Sequence, residues 1–128
     1  MPRILLIEDD AAVRAWLCQI LAHFGHIVIE ARDGREGLDL LPGAAADLVI
    51  TDIVMPEMEG LGVLMELRKK QPPMKILAMS GGGSQSATDY LHTAKLLGAT
   101  MVLAKPFSSA VLMATINELL PGGDQVAR

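Results

Sequence analysis

The sequence predicts an α/β domain in which a parallel sheet carries helices on both faces. Five apolar runs alternate with five segments of helical periodicity along the 128-residue chain. Such alternation is typical of strand–helix–strand units, whose right-handed crossovers bring successive strands parallel. The runs are also apolar throughout instead of alternating with polar residues, which indicates strands that are buried on both faces.

The predicted strands are short and rich in Ile, Leu, Val and Met. Each is bounded by polar residues, turn residues or a helical segment, so its limits can be placed from the sequence. The strands cover residues 4–7, 27–29, 47–51, 75–79 and 100–104.

The first predicted helix has a clear period, with one apolar face that Gly25 ends. The residues of this face are Val13, Trp16, Leu17, Ile20, Leu21 and Phe24. The other predicted helices cover residues 34–41, 61–70, 85–97 and 109–120. Pro42 and Gly43 should stop the second helix, and Ser108 or Ser109 can cap the last one.

Length and composition predict one globular domain with a substantial core. The chain is 51% hydrophobic and 20% charged, with few aromatic residues. We expect the domain to cover residues 1–121, followed by a short flexible tail at 122–128 and no output domain. The net charge of −4 argues against general nucleic-acid binding, which needs a basic face.

The sequence also favours a cytoplasmic location. Cys18 is the one cysteine, so an internal disulfide cannot form and a reducing compartment fits. The N-terminus lacks the pattern of a signal peptide. No apolar run approaches the roughly 20 residues of a membrane span, so we expect no membrane contact.

Four of the apolar runs stop at polar residues that could form one site. Glu8 and Asp9 follow the first run, Asp52 the third, Ser80 the fourth and Lys105 the fifth. Because the carboxyl ends of parallel strands meet at one edge of a sheet, these side chains should converge there.

This combination of groups suits a divalent cation and a phosphoryl group. Carboxylates crowded into a partly desolvated crevice repel one another, and Mg²⁺ with its oxygen ligands would relieve that repulsion. The carboxylate of Asp52 can act as a nucleophile toward phosphorus. Lys105 could neutralise the transferred oxygens, and the hydroxyl of Ser80 could hydrogen-bond an added phosphate.

The chain resembles the receiver domain of two-component response regulators over essentially its whole length. Each matching segment is weakly specific alone, but their order and spacing together are highly specific. The segments are residues 4–10, residues 52–56 with Gly60, Ser80-Gly81, Gly98-Ala99 and Lys105-Pro106-Phe107.

The resemblance implies a fold, a set of roles and a partner. The fold would be a flavodoxin-like, doubly wound five-stranded sheet of order 2-1-3-4-5 with five helices. Asp52 would accept a phosphoryl group from a histidine kinase or a phosphotransfer protein, with Ser80 as the switch hydroxyl and Lys105 as the phosphate-contacting lysine. The Mg²⁺ ligands would be Glu8, Asp9, Asp52 and the backbone carbonyl of Val54.

Three features of the chain depart from the usual receiver pattern. Val102 stands where receivers commonly carry Tyr or Phe, three residues before the lysine. Val54 and Gly82 lack the polar side chains that could orient an attacking water, so we expect slow self-hydrolysis of the phosphorylated state. As a third departure, we expect no output domain after the receiver domain.

Alternative functions remain open from the sequence. The chain could be a receiver excised from a larger hybrid kinase or regulator, or an interaction module that never needs phosphate. An Asp-nucleophile phosphatase would usually need a second acid two residues after the nucleophile, and Val54 occupies that position. We therefore expect a signalling domain that is not an enzyme, with a downstream protein target that the sequence does not name.

Overall fold

Five parallel strands form a single sheet in the computed structural model, which describes residues 2–52, 59–69, 74–80, 95 and 98–120. The strands are β1 (Arg3–Ile7), β2 (Ile27–Ala31), β3 (Leu48–Asp52), β4 (Ile76–Ser80) and β5 (Met101–Ala104). Their order across the sheet is β2-β1-β3-β4-β5. This confirms the predicted parallel sheet and its order.

Four helices lie within the described ranges. They are α1 (Ala11–His23), α2 (Gly34–Ala44), α3 (Glu59–Arg68) and α4 (Ser109–Leu119). The helix predicted over residues 85–97 falls outside the described residues apart from Lys95, which is helical. Within these ranges, no helix combines the length and the apolar character that a membrane crossing requires.

The prediction that Pro42 and Gly43 stop the second helix is wrong. The helix continues through both residues to Ala44 and ends at Ala45, whose φ of 51° is left-handed. Proline has a fixed φ that is compatible with a helix, although it removes one backbone hydrogen bond and its ring crowds the carbonyl four residues earlier. Burial of Ala44 against the rest of the domain helps to offset that loss.

Side chains from alternate strand positions form a core on each face of the sheet. Ile4 and Leu6 of β1 pack with Leu17 of α1 and Leu112 of α4 on one face. Leu5 and Ile7, together with residues of α3 and β3, pack on the other face. These four residues of β1 are fully buried, which explains why this central run is apolar at every position.

Candidate functional site

Three carboxylates converge at the carboxyl edge of the sheet. Glu8 and Asp9 follow β1, while Asp52 ends the neighbouring strand β3. One carboxylate oxygen from each residue lies within 4.8 Å of the others. Glu8 and Asp52 are buried, with 1% and 5% of their surface exposed, whereas Asp9 is exposed. The predicted acidic cluster is therefore assembled, with one member open to solvent.

Lys105 joins this cluster from the loop that follows β5. Its Nζ lies 2.8 Å from Asp52 Oδ2 and 3.1 Å from Glu8 Oε1. Its backbone N–H donates to the Ser80 carbonyl at 2.7 Å, which continues the pairing of β4 with β5 and fixes where the side chain starts. Burial lowers the pKa of Lys105, but the bonds and charges of Asp52 and Glu8 outweigh burial and raise it, so the ammonium stays charged.

Glu8 has a strongly raised pKa. Burial raises its pKa to about 7, and the nearby charge of Asp52 acts in the same direction. The Asp10 backbone N–H, 3.1 Å from Glu8 Oε2, and the Lys105 ammonium oppose that rise. Glu8 is thus poised between its charged and neutral forms near neutral pH, and additional positive charge would favour the carboxylate.

Ser80 ends β4 beside the acidic cluster. The residue is fully buried, and its Oγ has no hydrogen-bond partner in the described part of the chain. Its strand pairs with β3 through Asp52 and Met79, and with β5 through Ser80 and Ala104. Buried hydroxyls are usually hydrogen-bonded, so this group is suited to a ligand atom that arrives at the edge.

Two residues that sequence reasoning left without a role support the loop between β1 and α1. The Asp10 side chain caps α1 by accepting from the backbone N–H groups of Ala12 at 2.9 Å and Val13 at 3.1 Å. Arg14 donates from Nη1 to the Glu8 carbonyl at 2.7 Å. An aspartate before a helix is a recognisable N-cap signal, whereas no local pattern indicates the contact of Arg14.

Cys18 lies away from the cluster and has an inert thiol. Burial raises its pKa to about 11, and Glu30 adds to the shift through its charge and a hydrogen bond. The thiolate is the reactive form of cysteine, so this side chain is unreactive at neutral pH.

The structure does not describe every residue that the sequence singled out. Val54 and Gly82 lie outside the described residues. Val102 is described, lies in β5 and packs partly buried against the core that contains Ala78 and Ala99.

The donor set fits Mg²⁺. Oxygen atoms from three carboxylates within 4.8 Å of one another are the ligand type that a hard divalent cation takes. Lys105 is the one ammonium within 4.0 Å of Glu8 or Asp52 among the described residues, so a divalent cation would relieve the remaining repulsion between the carboxylates. Glu8, Asp9 and Asp52 are the described residues that would hold the ion.

Known proteins with similar sequences are signalling proteins. A family model for the response regulator receiver domain matches residues 4–117. The sensor kinase CckA of Brucella abortus is 37% identical over 123 residues, which are 94% of this chain and 13% of the kinase. The response regulator MprA of Mycolicibacterium vanbaalenii is 39% identical over 119 residues, which are 92% of this chain and 50% of the regulator. The chain thus spans half or less of the length of these relatives.

Solved structures of similar fold span the whole chain. A receiver domain from Clostridium thermocellum superposes with a TM-score of 0.85 at 28% identity, covering 98% of this chain and 99% of the other. A CheY-like receiver domain protein from Methanospirillum hungatei gives 0.82 at 30% identity, covering 98% of each chain. The family model and the fold agree, and the chain belongs to the response regulator receiver domain family of two-component systems.

Proposed function

We propose that this receiver domain accepts a phosphoryl group on Asp52 from a phosphohistidine of a histidine kinase or phosphotransfer protein. The modified domain then binds a target differently or passes the group on. The observation that carries the proposal is the position of the Asp52 carboxylate. It is buried at the carboxyl edge of the sheet, 2.8 Å from the Lys105 ammonium and beside the carboxylates of Glu8 and Asp9.

The chemical step is a displacement at phosphorus. A carboxylate oxygen of Asp52 forms the new P–O bond as the P–N bond to the donor histidine breaks, and the electron pair of that bond returns to the imidazole nitrogen. Protein catalysis of phosphoryl transfer rests mainly on positioning and charge neutralisation. Bound Mg²⁺ would supply positive charge to the transferred oxygens from the side of Glu8 and Asp9.

Lys105 and Ser80 have successive roles in this proposal. Before transfer, Lys105 holds the Asp52 carboxylate in place and offsets its charge. After transfer, the phosphoryl group carries about −1.5 to −2 charges in place of the single charge of the Asp52 carboxylate, and a Lys105 ammonium that leaves Glu8 can pair with it. The buried Ser80 hydroxyl then gains an acceptor, since phosphoryl oxygens are strong hydrogen-bond acceptors.

The proposal is tested by labelling the protein with a small phosphodonor such as acetyl phosphate. Wild-type protein should incorporate up to one phosphoryl group per chain in the presence of Mg²⁺ and none after chelation. Asp52→Asn should abolish the label because an amide is a poor nucleophile toward phosphorus. Asp39→Asn, which alters an exposed aspartate of α2, should leave labelling unchanged. Full labelling of the Asp52→Asn protein would refute the assignment.

A further inference from the structure

Arg14 connects the acidic loop to the edge strand of the sheet. Its side chain is largely buried, with 15% of its surface exposed. Nη1 donates to the backbone carbonyl of Glu8 at 2.7 Å, and Nε lies 3.4 Å from Oε1 of Glu30 on β2. One guanidinium therefore contacts both the loop that carries the metal-binding acids and the strand next to it.

The carbonyl that Arg14 binds belongs to the peptide that joins Glu8 to Asp9. Rotation of that peptide would change the direction of one carboxylate relative to the other. The rest of Glu8 is already held, since its N–H donates to the Ala31 carbonyl at 3.1 Å and its Oε2 accepts from the Asp10 N–H at 3.1 Å. The contact of Arg14 therefore restrains the remaining backbone polar group of Glu8.

Arginine suits this task better than other cations. Its planar guanidinium has donors fixed in direction, so a contact with Glu30 at one nitrogen sets the direction of the donor at another. The pair with Glu30 contributes little stability itself because Glu30 is 53% exposed. Its effect is on the orientation of the Arg14 donor that meets the Glu8 carbonyl.

We propose that Arg14 is a positioning residue for the cation site. It fixes the peptide between Glu8 and Asp9 so that both carboxylates face one divalent cation, and Glu30 orients its guanidinium. The inference deepens the proposed function, since it assumes that the acids hold Mg²⁺ for phosphoryl transfer. Groups outside the first ligand shell commonly tune metal affinity in this way.

The direction in which Mg²⁺ affinity changes when Arg14 is replaced distinguishes a positioning role from a purely electrostatic one. A guanidinium that contacts the loop carrying Glu8 and Asp9 repels a divalent cation bound there, so a purely electrostatic role means that removing it strengthens Mg²⁺ binding. A positioning role means the opposite, because the two carboxylates lose their fixed relation. Arg14→Gln should therefore weaken Mg²⁺ binding.

The experiment titrates Mg²⁺ into the full chain and follows the backbone amide signals of residues 8–10. Arg14→Gln should bind Mg²⁺ about tenfold more weakly than wild type. Labelling by acetyl phosphate should recover to near the wild-type rate at saturating Mg²⁺, because Asp52 and Lys105 are untouched. The matched control is Arg32→Gln, which removes the same charge from an exposed arginine paired with Glu36 at 3.5 Å. Its Mg²⁺ affinity should stay within about twofold of wild type.

A second variant keeps the test possible if Arg14→Gln does not fold. Arg14→Lys keeps the charge and can still donate to the Glu8 carbonyl, but its ammonium lacks the fork that also meets Glu30. It should bind Mg²⁺ with an affinity between those of wild type and Arg14→Gln. Binding as tight as wild type, or tighter, in every variant that folds would overturn the role of Arg14.

The same data distinguish this inference from the proposed function. Wild-type protein that binds Mg²⁺ but takes up no phosphoryl group would refute the function and leave the Arg14 comparison measurable. Wild-type labelling with unchanged Mg²⁺ affinity in Arg14→Gln would refute only the positioning role. A wild-type chain that binds no Mg²⁺ would overturn both.

Discussion

Lys105 and Ser80 lie at the ends of neighbouring strands, but their polar groups are satisfied very differently. The Lys105 ammonium contacts the carboxylates of both Asp52 and Glu8. The Ser80 hydroxyl is fully buried and has no hydrogen-bond partner among the described residues. The lysine therefore offsets part of the negative charge of the unmodified site, whereas in the proposed function the serine donates to a phosphoryl group that is added later.

The energetics of burial explain why the two groups differ. A buried carboxylate without a partner is far more costly than a buried hydroxyl, so Asp52 and Glu8 in their charged forms require a cation nearby. An unpaired buried hydroxyl costs about 1–3 kcal/mol, which a folded domain can tolerate. The resting state can thus keep Ser80 unsatisfied, and phosphorylation would remove that cost.

The largest effect is expected from removing the ammonium. Lys105→Met should lower the rate of phosphoryl uptake by about 100-fold or more, because charge stabilisation of the transferred group is lost. Raising the Mg²⁺ concentration should not restore the rate, in contrast to Arg14→Gln. The measurement is the initial rate of labelling by acetyl phosphate at saturating Mg²⁺.

The control for this change is Lys69→Met, since Lys69 is 70% exposed and pairs only with Glu66, at 3.4 Å, among the described residues. It should label at the wild-type rate. Equal rates for the Lys105 and Lys69 variants would mean that the Lys105 contact is structural and plays no part in transfer.

The next effect is a dependence of Mg²⁺ binding on pH. Burial raises the pKa of Glu8 to about 7, and only the charged carboxylate binds Mg²⁺ well. Wild-type affinity should therefore rise about tenfold between about pH 6 and about pH 8 as this group loses its proton. Glu8→Gln should bind weakly at both pH values and lose the slope. A slope that persists in Glu8→Gln would assign the titration to another group.

The smallest expected effect is on the free energy of unfolding. It distinguishes the hydroxyl of Ser80, at the end of β4, from that of Ser108, at the start of α4. Ser80→Ala removes a buried Oγ that no described residue contacts by a hydrogen bond, so it should raise the free energy of unfolding of unmodified protein by about 1 kcal/mol. Ser108→Ala is the matched control, because this Oγ caps α4 by accepting from the Val111 N–H at 3.1 Å.

Loss of the cap should lower the free energy of unfolding by about 1 kcal/mol. Urea unfolding of the two variants without phosphodonor measures both changes. A decrease of similar size in both would show that the Ser80 hydroxyl already has a stabilising contact in the resting protein.

Much of the fold and the site could be predicted because the signals are local. Continuous apolar runs identified the strands, and the polar residues after four of these runs identified the edge that carries Glu8, Asp52, Ser80 and Lys105. The pattern is strongest in the three inner strands, β1, β3 and β4, whose apolar residues are buried on both faces. The sheet order came from a family resemblance, since strand periodicity alone does not determine which strands are neighbours.

Other features depend on contacts that no sequence window contains. Arg14 reaches the Glu8 carbonyl only because the turn between β1 and α1 places the helix beside the loop. The unpaired state of the Ser80 hydroxyl likewise depends on what surrounds it. Helix α2 continued through Pro42, since packing near a helix end overrode a residue that is a reliable breaker in the interior.

The central claim is that Asp52 carries the phosphoryl group, and locating the modified residue tests it most directly. Borohydride reduces an acyl phosphate to an alcohol, so treated protein can be digested and the altered residue found by mass spectrometry. After incubation with acetyl phosphate and Mg²⁺, we predict reduction at Asp52 alone, and no reduced residue in Asp52→Asn. Modification at Glu8, Asp9 or any other residue, with Asp52 unchanged, would contradict the account.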